Sequence, residues 1–341
     1  MSGTRTRAGR IALAGLAALV VAAPWAAPQQ SLTGPIVTSL TLFAGTGEGL
    51  FRSSDWSHSW SRVKGRPSGA QLDALGAANA LLLLTTQVWV GGNGLFVSED
   101  FGDTWIARGE AAGLRVVVPS RWPQSDATVF AGTGAGVLRS RDGGRHFEPT
   151  ALFGTAVHRI EWPGPALVVA CDRGVLVSND EGKSFVGPGA GLPASPVGAI
   201  VLSSFYAADP VMFAAPASGG VFRTADGGTS WKASGLDGEA VGDLVWLGPF
   251  LYAAGAKGFY RSQDAGASWT RLADSPGRPS RLLFPLAPGA GLEAFLATDQ
   301  GLFHTRDAGE HWEAAGFAGQ LVLTVATFPP PEPLAQSKRR K

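Results

Sequence analysis

The chain of 341 residues holds a single cysteine, Cys171, so no intrachain disulfide can form and no cysteine cluster can hold a metal. Cys171 sits in the apolar run Val168-Val169-Ala170-Cys171, which reads as a buried structural thiol rather than a nucleophile. Charge is also sparse. Charged residues make up 16% and the net charge is +1, a balance that excludes bulk nucleic-acid binding. The five histidines, His58, His146, His158, His304 and His311, include no pair at the spacing of a helical zinc site, so no metal and no cofactor is expected. The longest apolar stretch, Ile11 to Ala23, is short for a full membrane span. It follows Arg5, Arg7 and Arg10 and precedes Pro24-Trp25-Ala26-Ala27, the build of a secretory leader. Residues 1–27 are therefore expected to be a signal peptide or a retained N-terminal anchor. Residues 28–36 read as a linker, and the protein is expected outside the cytoplasm, periplasmic or secreted.

Glycine and tryptophan, in contrast, are plentiful, with 47 and 11 residues. They mark a repeat. The segments SSDWSHSW, SEDFGDTW, SRDGGRHF, SNDEGKSF, TADGGTSW, SQDAGASW and TRDAGEHW share the pattern Ser/Thr-x-Asp-x-Gly-x-x-aromatic. Their aspartates are Asp55, Asp100, Asp142, Asp180, Asp226, Asp264 and Asp307, at a mean interval of 42 residues. Four residues before each Ser/Thr stands a glycine (Gly49, Gly94, Gly136, Gly174, Gly220, Gly258, Gly301) with apolar β-formers on both sides. Each repeat thus reads as a β-hairpin followed by a second turn. In that turn the aspartate accepts N–H groups, the glycine supplies a positive φ, and the aromatic residue is buried between neighbouring sheets. Box 1 has Ser57 where glycine is expected, so its turn should be strained or altered.

A further strand precedes each hairpin, at 115–118, 157–162, 197–202, 241–246 and 281–284, with another inside 71–85. The segment 321–326 is a strand with no box after it, and the first hairpin has no clear strand before it. Donating the C-terminal strand to the first blade removes an open sheet edge. The expected fold is all-β: a seven-bladed propeller of four-stranded blades over residues 37–328, closed by the C-terminal strand.

The boxes resemble those of the Asp-box, or bacterial neuraminidase repeat, family. That resemblance implies the propeller strongly and function weakly, because sialidases, xyloglucan hydrolases, sortilin-type receptors and photosystem II assembly factors carry such repeats. Sialidases of this type use an arginine triad, a Tyr–Glu pair and an Arg-Ile-Pro segment before the first box. That segment is missing here, and two of the three tyrosines (Tyr206, Tyr252, Tyr260) occupy ordinary strand positions. Photosystem II assembly factors look like single propellers of this size, exported, with an arginine-rich face that holds a membrane-protein segment.

Aligning the innermost strands by their apolar cores places Asp73, Arg115, Arg159, Ala199, Asp243, Arg281 and Val322 at similar positions. Asp73, Arg115, Arg159, Asp243 and Arg281 are the candidate binding residues of the channel mouth, with His158 and Glu161 flanking Arg159. Mutual pairing or capture of a carboxylate-bearing ligand are the two readings of that ring. A second set, Arg52, Arg139, Arg223, Arg261 and His304, precedes the boxes and suits covering sheet surface with heads paired to neighbouring carboxylates. No residue is assigned a catalytic role. Residues 329–341, PPPEPLAQSKRRK, form a proline-rich basic tail able to touch an anionic surface. The expected function is an exported, non-catalytic, monomeric binding or assembly module for a protein segment or polysaccharide of the cell envelope. A glycan-active hydrolase on the same propeller is the alternative.

Overall fold

A computed structural model of the chain describes residues 40–63, 74–77, 87–100, 102–120, 125–285 and 292–328. These residues form antiparallel sheets arranged as seven blades. Blade 1 combines Val322–Phe328 with Thr41–Thr46, Gly49–Ser53 and Ser61–Arg62, so the C-terminal strand does close the ring. Blades 3, 5, 6 and 7 run in simple order from their inner strands, Leu114–Pro119, Val197–Leu202, Val241–Leu247 and Pro279–Leu283, each with four strands. Blades 2 and 4 depart from the plan. In blade 2, Val88–Ser98 is one continuous strand whose first part pairs with Ala74–Ala77 and whose second part pairs with Ile106–Ala112. In blade 4, Val157–Glu161, Leu167–Cys171 and Gly174–Ser178 form the sheet, and the outermost strand shrinks to the bridge between Val177 and Val186. The inner strands touch one another in an unbroken circuit, with Val322–Phe328 set between those of blades 7 and 2.

Burial follows position within the blade. The second strands, such as Val129–Thr133, Leu167–Cys171 and Ala294–Thr298, are buried along their whole length, which is why they read as uninterrupted apolar runs. Outer strands such as Ser61–Arg62 and Lys232–Ala233 are exposed. Between adjacent blades lie separate apolar clusters. One joins Val168, Ala170 and Val175 of blade 4 to Val197, Ile200 and Met212 of blade 5. Phe43, Phe130, Phe213 and Phe295, at matching places in four second strands, are fully buried and contribute about 1.5–3 kcal/mol each. The box aromatics reach back to the preceding blade. Trp60 Nε1 donates to the Ala315 carbonyl at 2.8 Å, and Trp269 Nε1 donates to that of Ser234 at 2.6 Å.

The seven boxes are built alike. The Ser/Thr hydroxyl donates to the Asp Oδ1 at 2.7–2.8 Å. The same hydroxyl oxygen accepts the N–H at the glycine position. The residue just before the aromatic closes the turn. Its N–H donates to Oδ1 at 2.8–3.0 Å, and its side chain meets Oδ2. That residue is Ser or Thr in five boxes and His146 or His311 in the others. Ser57 keeps the left-handed conformation of the box glycines, with φ +69°, so the first turn is strained rather than altered.

Candidate functional site

Each inner strand begins beside the hairpin turn of its own blade, since Val157 pairs with Cys171 just before the turn to Gly174. The boxes lie at the other end, where Ser178 pairs with Leu167. The propeller therefore has a hairpin end and a box end. The channel-mouth candidates sit at the hairpin end.

Their register is set by a feature of the inner strands. A bulge sits near the start of six of them, and the residue after it pairs with a small residue of the second strand. The pairs are Val116–Gly132, Arg159–Ala170, Ala199–Ala215, Asp243–Ala254, Arg281–Ala297 and Thr324–Gly45. In blade 2 the corresponding pairing joins Ala74 to Gly91. Arg159, Ala199, Asp243 and Arg281 therefore share one level around the axis. Arg115 does not. It occupies the bulge itself, the position of His158 in blade 4, and Val116 stands at the level of Arg159. Thr324 rather than Val322 holds that level in blade 1. Asp73 lies outside the described residues. The extra residue of a bulge shifts the pleat by one, and an alignment by apolar cores does not register it.

Asp243 is the centre of the group. Its side chain is 1% exposed, and it forms an ion pair with Arg159. Arg159 belongs to blade 4 and Asp243 to blade 6, so the arginine spans the intervening blade. At the same level that blade presents only the methyl group of Ala199, which leaves room for the crossing. Asp243 also accepts the N–H of Leu282, in blade 7, at 2.8 Å and its neighbour Leu244 N–H at 3.0 Å. One carboxylate thus ties three blades together. Burial pushes the Asp243 carboxyl above its ordinary value, while the Arg159 charge and the two N–H donors pull it down. Gly242, the bulge residue before it, must be glycine, because a Cβ there would lie 2.1 Å from the Pro279 carbonyl oxygen.

Arg281 completes the cluster. Its Nε stands 3.9 Å from Asp243 Oδ2, and its side chain remains 36% exposed. Asp243 therefore balances the half-buried Arg159 and leaves Arg281 with a positive charge in reach of solvent. Arg115 is exposed and lies along the Gly134 turn of its own blade. Next to it, His158 Nε2 meets Asp172 Oδ1 at 2.7 Å. The His158 bond and charge, with Arg115 adding its own, hold the Asp172 carboxyl below the usual value. Glu161 pairs with Val168 at the box-side end of the strand, away from this group. Of the channel-mouth candidates, Arg281 and Arg115 remain accessible at the hairpin end, beside a frame fixed by Arg159 and Asp243.

Two of the pre-box residues act between blades, and two pack within their own. Arg52 pairs with Asp103 of blade 2, and Arg139 pairs with Glu181 of blade 4 while stacking over Phe130. Arg261 lies 5.3 Å over the Phe250 ring. His304 stacks on Phe295 and meets Glu293 at 2.9 Å. Of the two aromatics in the longest inner loop, Phe205 is 77% exposed and Tyr206 is buried. Tyr260 donates to the buried Glu239 at 3.0 Å on the outer part of blade 6. Burial and Glu239 raise the Tyr260 pKa, the opposite of what a nucleophilic phenol requires. Among the described residues no group of three or more His, Cys, Asp or Glu is placed to hold a metal ion.

No protein-family model and no curated protein matches the sequence. Solved structures match the fold. YCF48 bound to a D1 peptide aligns at TM-score 0.58 with 14% identity, over 77% of this chain and 91% of that one. The extracellular domain of a putative one-component system from B. thetaiotaomicron aligns at TM-score 0.58 with 14% identity, over 79% of this chain and 38% of that one. An ancestral GH74 enzyme aligns at TM-score 0.52 with 16% identity, over 72% of this chain and 37% of that one. At these identities the likeness is one of fold: the chain is a seven-bladed β-propeller whose structural neighbours include both a peptide binder and a glycoside hydrolase.

Proposed function

We propose that this propeller is an exported, non-catalytic binding module that captures a protein segment through a carboxylate at its hairpin end. The observation that carries the reading is the division of labour around Asp243. Arg159 is committed to the buried carboxylate, and Arg281 is held beside it with its guanidinium still accessible. A planar guanidinium in a fixed position suits bidentate capture of a carboxylate. YCF48 with its D1 peptide supports the reading, since a protein of similar fold holds a peptide.

The test is a crosslinking pull-down from native envelope extract with the chain and its Arg115→Ala/Arg281→Ala variant. Arg159 is left in place, because removing it strands a buried carboxylate at a cost of about 3–5 kcal/mol. The variant is expected to melt with the parent and to lose its protein partner. Undiminished capture by the variant would overturn the surface. Enriched or shortened polysaccharide, with no protein partner, would favour the glycan-active alternative.

A further inference from the structure

The pre-box arginines stand at equivalent places in their blades, and one of them lacks what the others have. In blades 1 and 3 the guanidinium crosses to an acid in the next blade's box: Arg52 pairs with Asp103 and Arg139 with Glu181. These acids are the sixth and fourth residues of their boxes. The box that follows Arg261 also has an acid at its sixth residue, Glu310. The box that follows Arg223 has Ala265 and Ala267 at the two places, and Asp264 is its only acid. Among the described residues the Arg223 guanidinium has no ion-pair or hydrogen-bond partner.

The neighbouring strand adds a second cation. Arg223 stands directly opposite Lys232. The residues opposite Arg52, Arg139, Arg261 and His304 are Ser61, Glu148, Thr270 and Glu313, none of them basic. Directly opposed side chains have Cβ atoms about 4.5–5.5 Å apart, and like charges there repel. Both cations line one groove of about 560 Å³ between blades 5 and 6, where Ala265, Gly266 and Ala267 form the facing wall. Asp226 and Asp264 line it too, but their carboxylates are engaged by the hydroxyls of Ser230 and Ser268 in their own turns. Box aspartates also flank Arg52 and Arg139, and both arginines still take a further acid. The box charge is thus common to all three places. The groove of blades 5 and 6 differs by a missing carboxylate and an added ammonium.

We infer that this groove takes an aspartate or glutamate side chain from an acidic segment of a partner protein, in the place that Asp103 and Glu181 fill in the other blades. Arg223 supplies a planar fork for the carboxylate and Lys232 a second, mobile charge. The groove lies toward the box end, because Arg223 adjoins Thr224 of the fifth box, whereas Arg115 and Arg281 are at the hairpin end. It is a second contact surface, independent of the first.

Lys232 makes the site chemically addressable. The full-length protein is mixed at low ionic strength with acetyl-hexaglutamate amide and a water-soluble carbodiimide, which joins a bound carboxylate to an adjacent amine. Peptide mass spectrometry then locates the adducts. Lys232 is expected to carry about tenfold or more adduct than Lys183 or Lys257, which are equally exposed to solvent but have no arginine opposite. Arg223→Gln should lower the Lys232 adduct about tenfold, and Ala267→Asp should do the same by supplying the missing acid within the chain. Ala267→Asp should melt no lower than the parent, which separates lost binding from lost fold. Arg115→Ala/Arg281→Ala should leave the Lys232 adduct unchanged. Labelling of Lys232 no greater than that of Lys183 and Lys257, or undiminished labelling in Arg223→Gln or Ala267→Asp, overturns the site. Loss of the adduct in Arg115→Ala/Arg281→Ala overturns its independence from the hairpin end. Displacement of the peptide by inorganic phosphate or oligogalacturonate, at concentrations where the peptide itself does not bind, overturns the acidic protein segment as its occupant.

Discussion

Ser57 shows how far a single residue can depart from a repeat without changing its geometry. Its φ of +69° places it where the other boxes have glycine, and its N–H still reaches the Ser53 hydroxyl oxygen at 3.0 Å. A side chain in the left-handed region carries a local cost, so Ser57→Gly should stabilise the propeller by about 1 kcal/mol, less the greater entropy of an unfolded glycine. Chemical denaturation reads this directly, and a variant no more stable than the parent would mean the Ser57 side chain compensates for its strain. The opposite change is harsher at Gly309. A Cβ there would lie 2.1 Å from the Phe259 ring as well as sitting at φ +96°. Residue identity made the box legible from sequence, and it also exposed the odd position. What it did not reveal was the role of the residue before the aromatic, since Ser, Thr and His do not look alike in a pattern. Their common ability to reach Oδ2 becomes visible only in the folded turn.

At the level of the element, the box is an acid-sensitive clasp. Hydrogen bonds from the closing hydroxyl and N–H hold Asp55, Asp100, Asp180, Asp226 and Asp264 at about 2, below their ordinary 3.8. Asp142 and Asp307 are shifted in the same direction: the His146 N–H leads for Asp142, while at Asp307 burial opposes the shift and is outweighed by the His311 and Thr305 hydrogen bonds together. A depressed carboxyl stabilises the fold above its unfolded value and loses that contribution as pH falls through the folded one. The unfolded chain takes up these protons first, so stability should be full above about pH 5 and decline toward pH 2. Replacing Ser184, Ser230 and Ser268 together by Ala removes the largest cause in three boxes. The acid-unfolding midpoint, followed by tryptophan fluorescence, should then rise by about half a pH unit or more. An unmoved midpoint would show that the box carboxylates do not govern acid unfolding. The inner strand was less readable than the box. Its existence followed from apolar periodicity, but its bulge did not, so Arg115 reads from sequence as an equivalent of Arg159 and stands one residue away from that level in the fold.

For the molecule as a whole, the decisive question is what keeps a ring of weakly self-sufficient sheets closed. Each blade buries its apolar faces only against its neighbours, so an open ring leaves two faces uncovered. Closure here is made twice. Val322–Phe328 pairs along Thr41–Thr46 and packs Val322 and Val325 with Leu42, Phe295 and Leu302, joining blades 7 and 1. Across the axis, Asp243 binds blades 4, 6 and 7 through Arg159 and the Leu282 N–H. The first closure was legible because an orphan strand at one end matched a missing strand at the other. The second was not, because contacts between residues 84 positions apart leave no local trace. The two closures differ in kind: the strand covers a whole sheet edge and an apolar cluster, whereas the ion pair fixes the angle between blades that already touch. Removing residues 321–341 should therefore abolish a cooperative thermal transition, since the Thr41–Thr46 edge and the Phe295 cluster would both open. Removing only residues 329–341 should leave the transition within a few degrees of the parent, because the closing strand Val322–Phe328 and its pairing with Thr41–Thr46 are kept. Circular dichroism melts of the two truncations separate these outcomes. A cooperative melt without residues 321–328 would place the strength of the ring in the cross-axis ion pair instead.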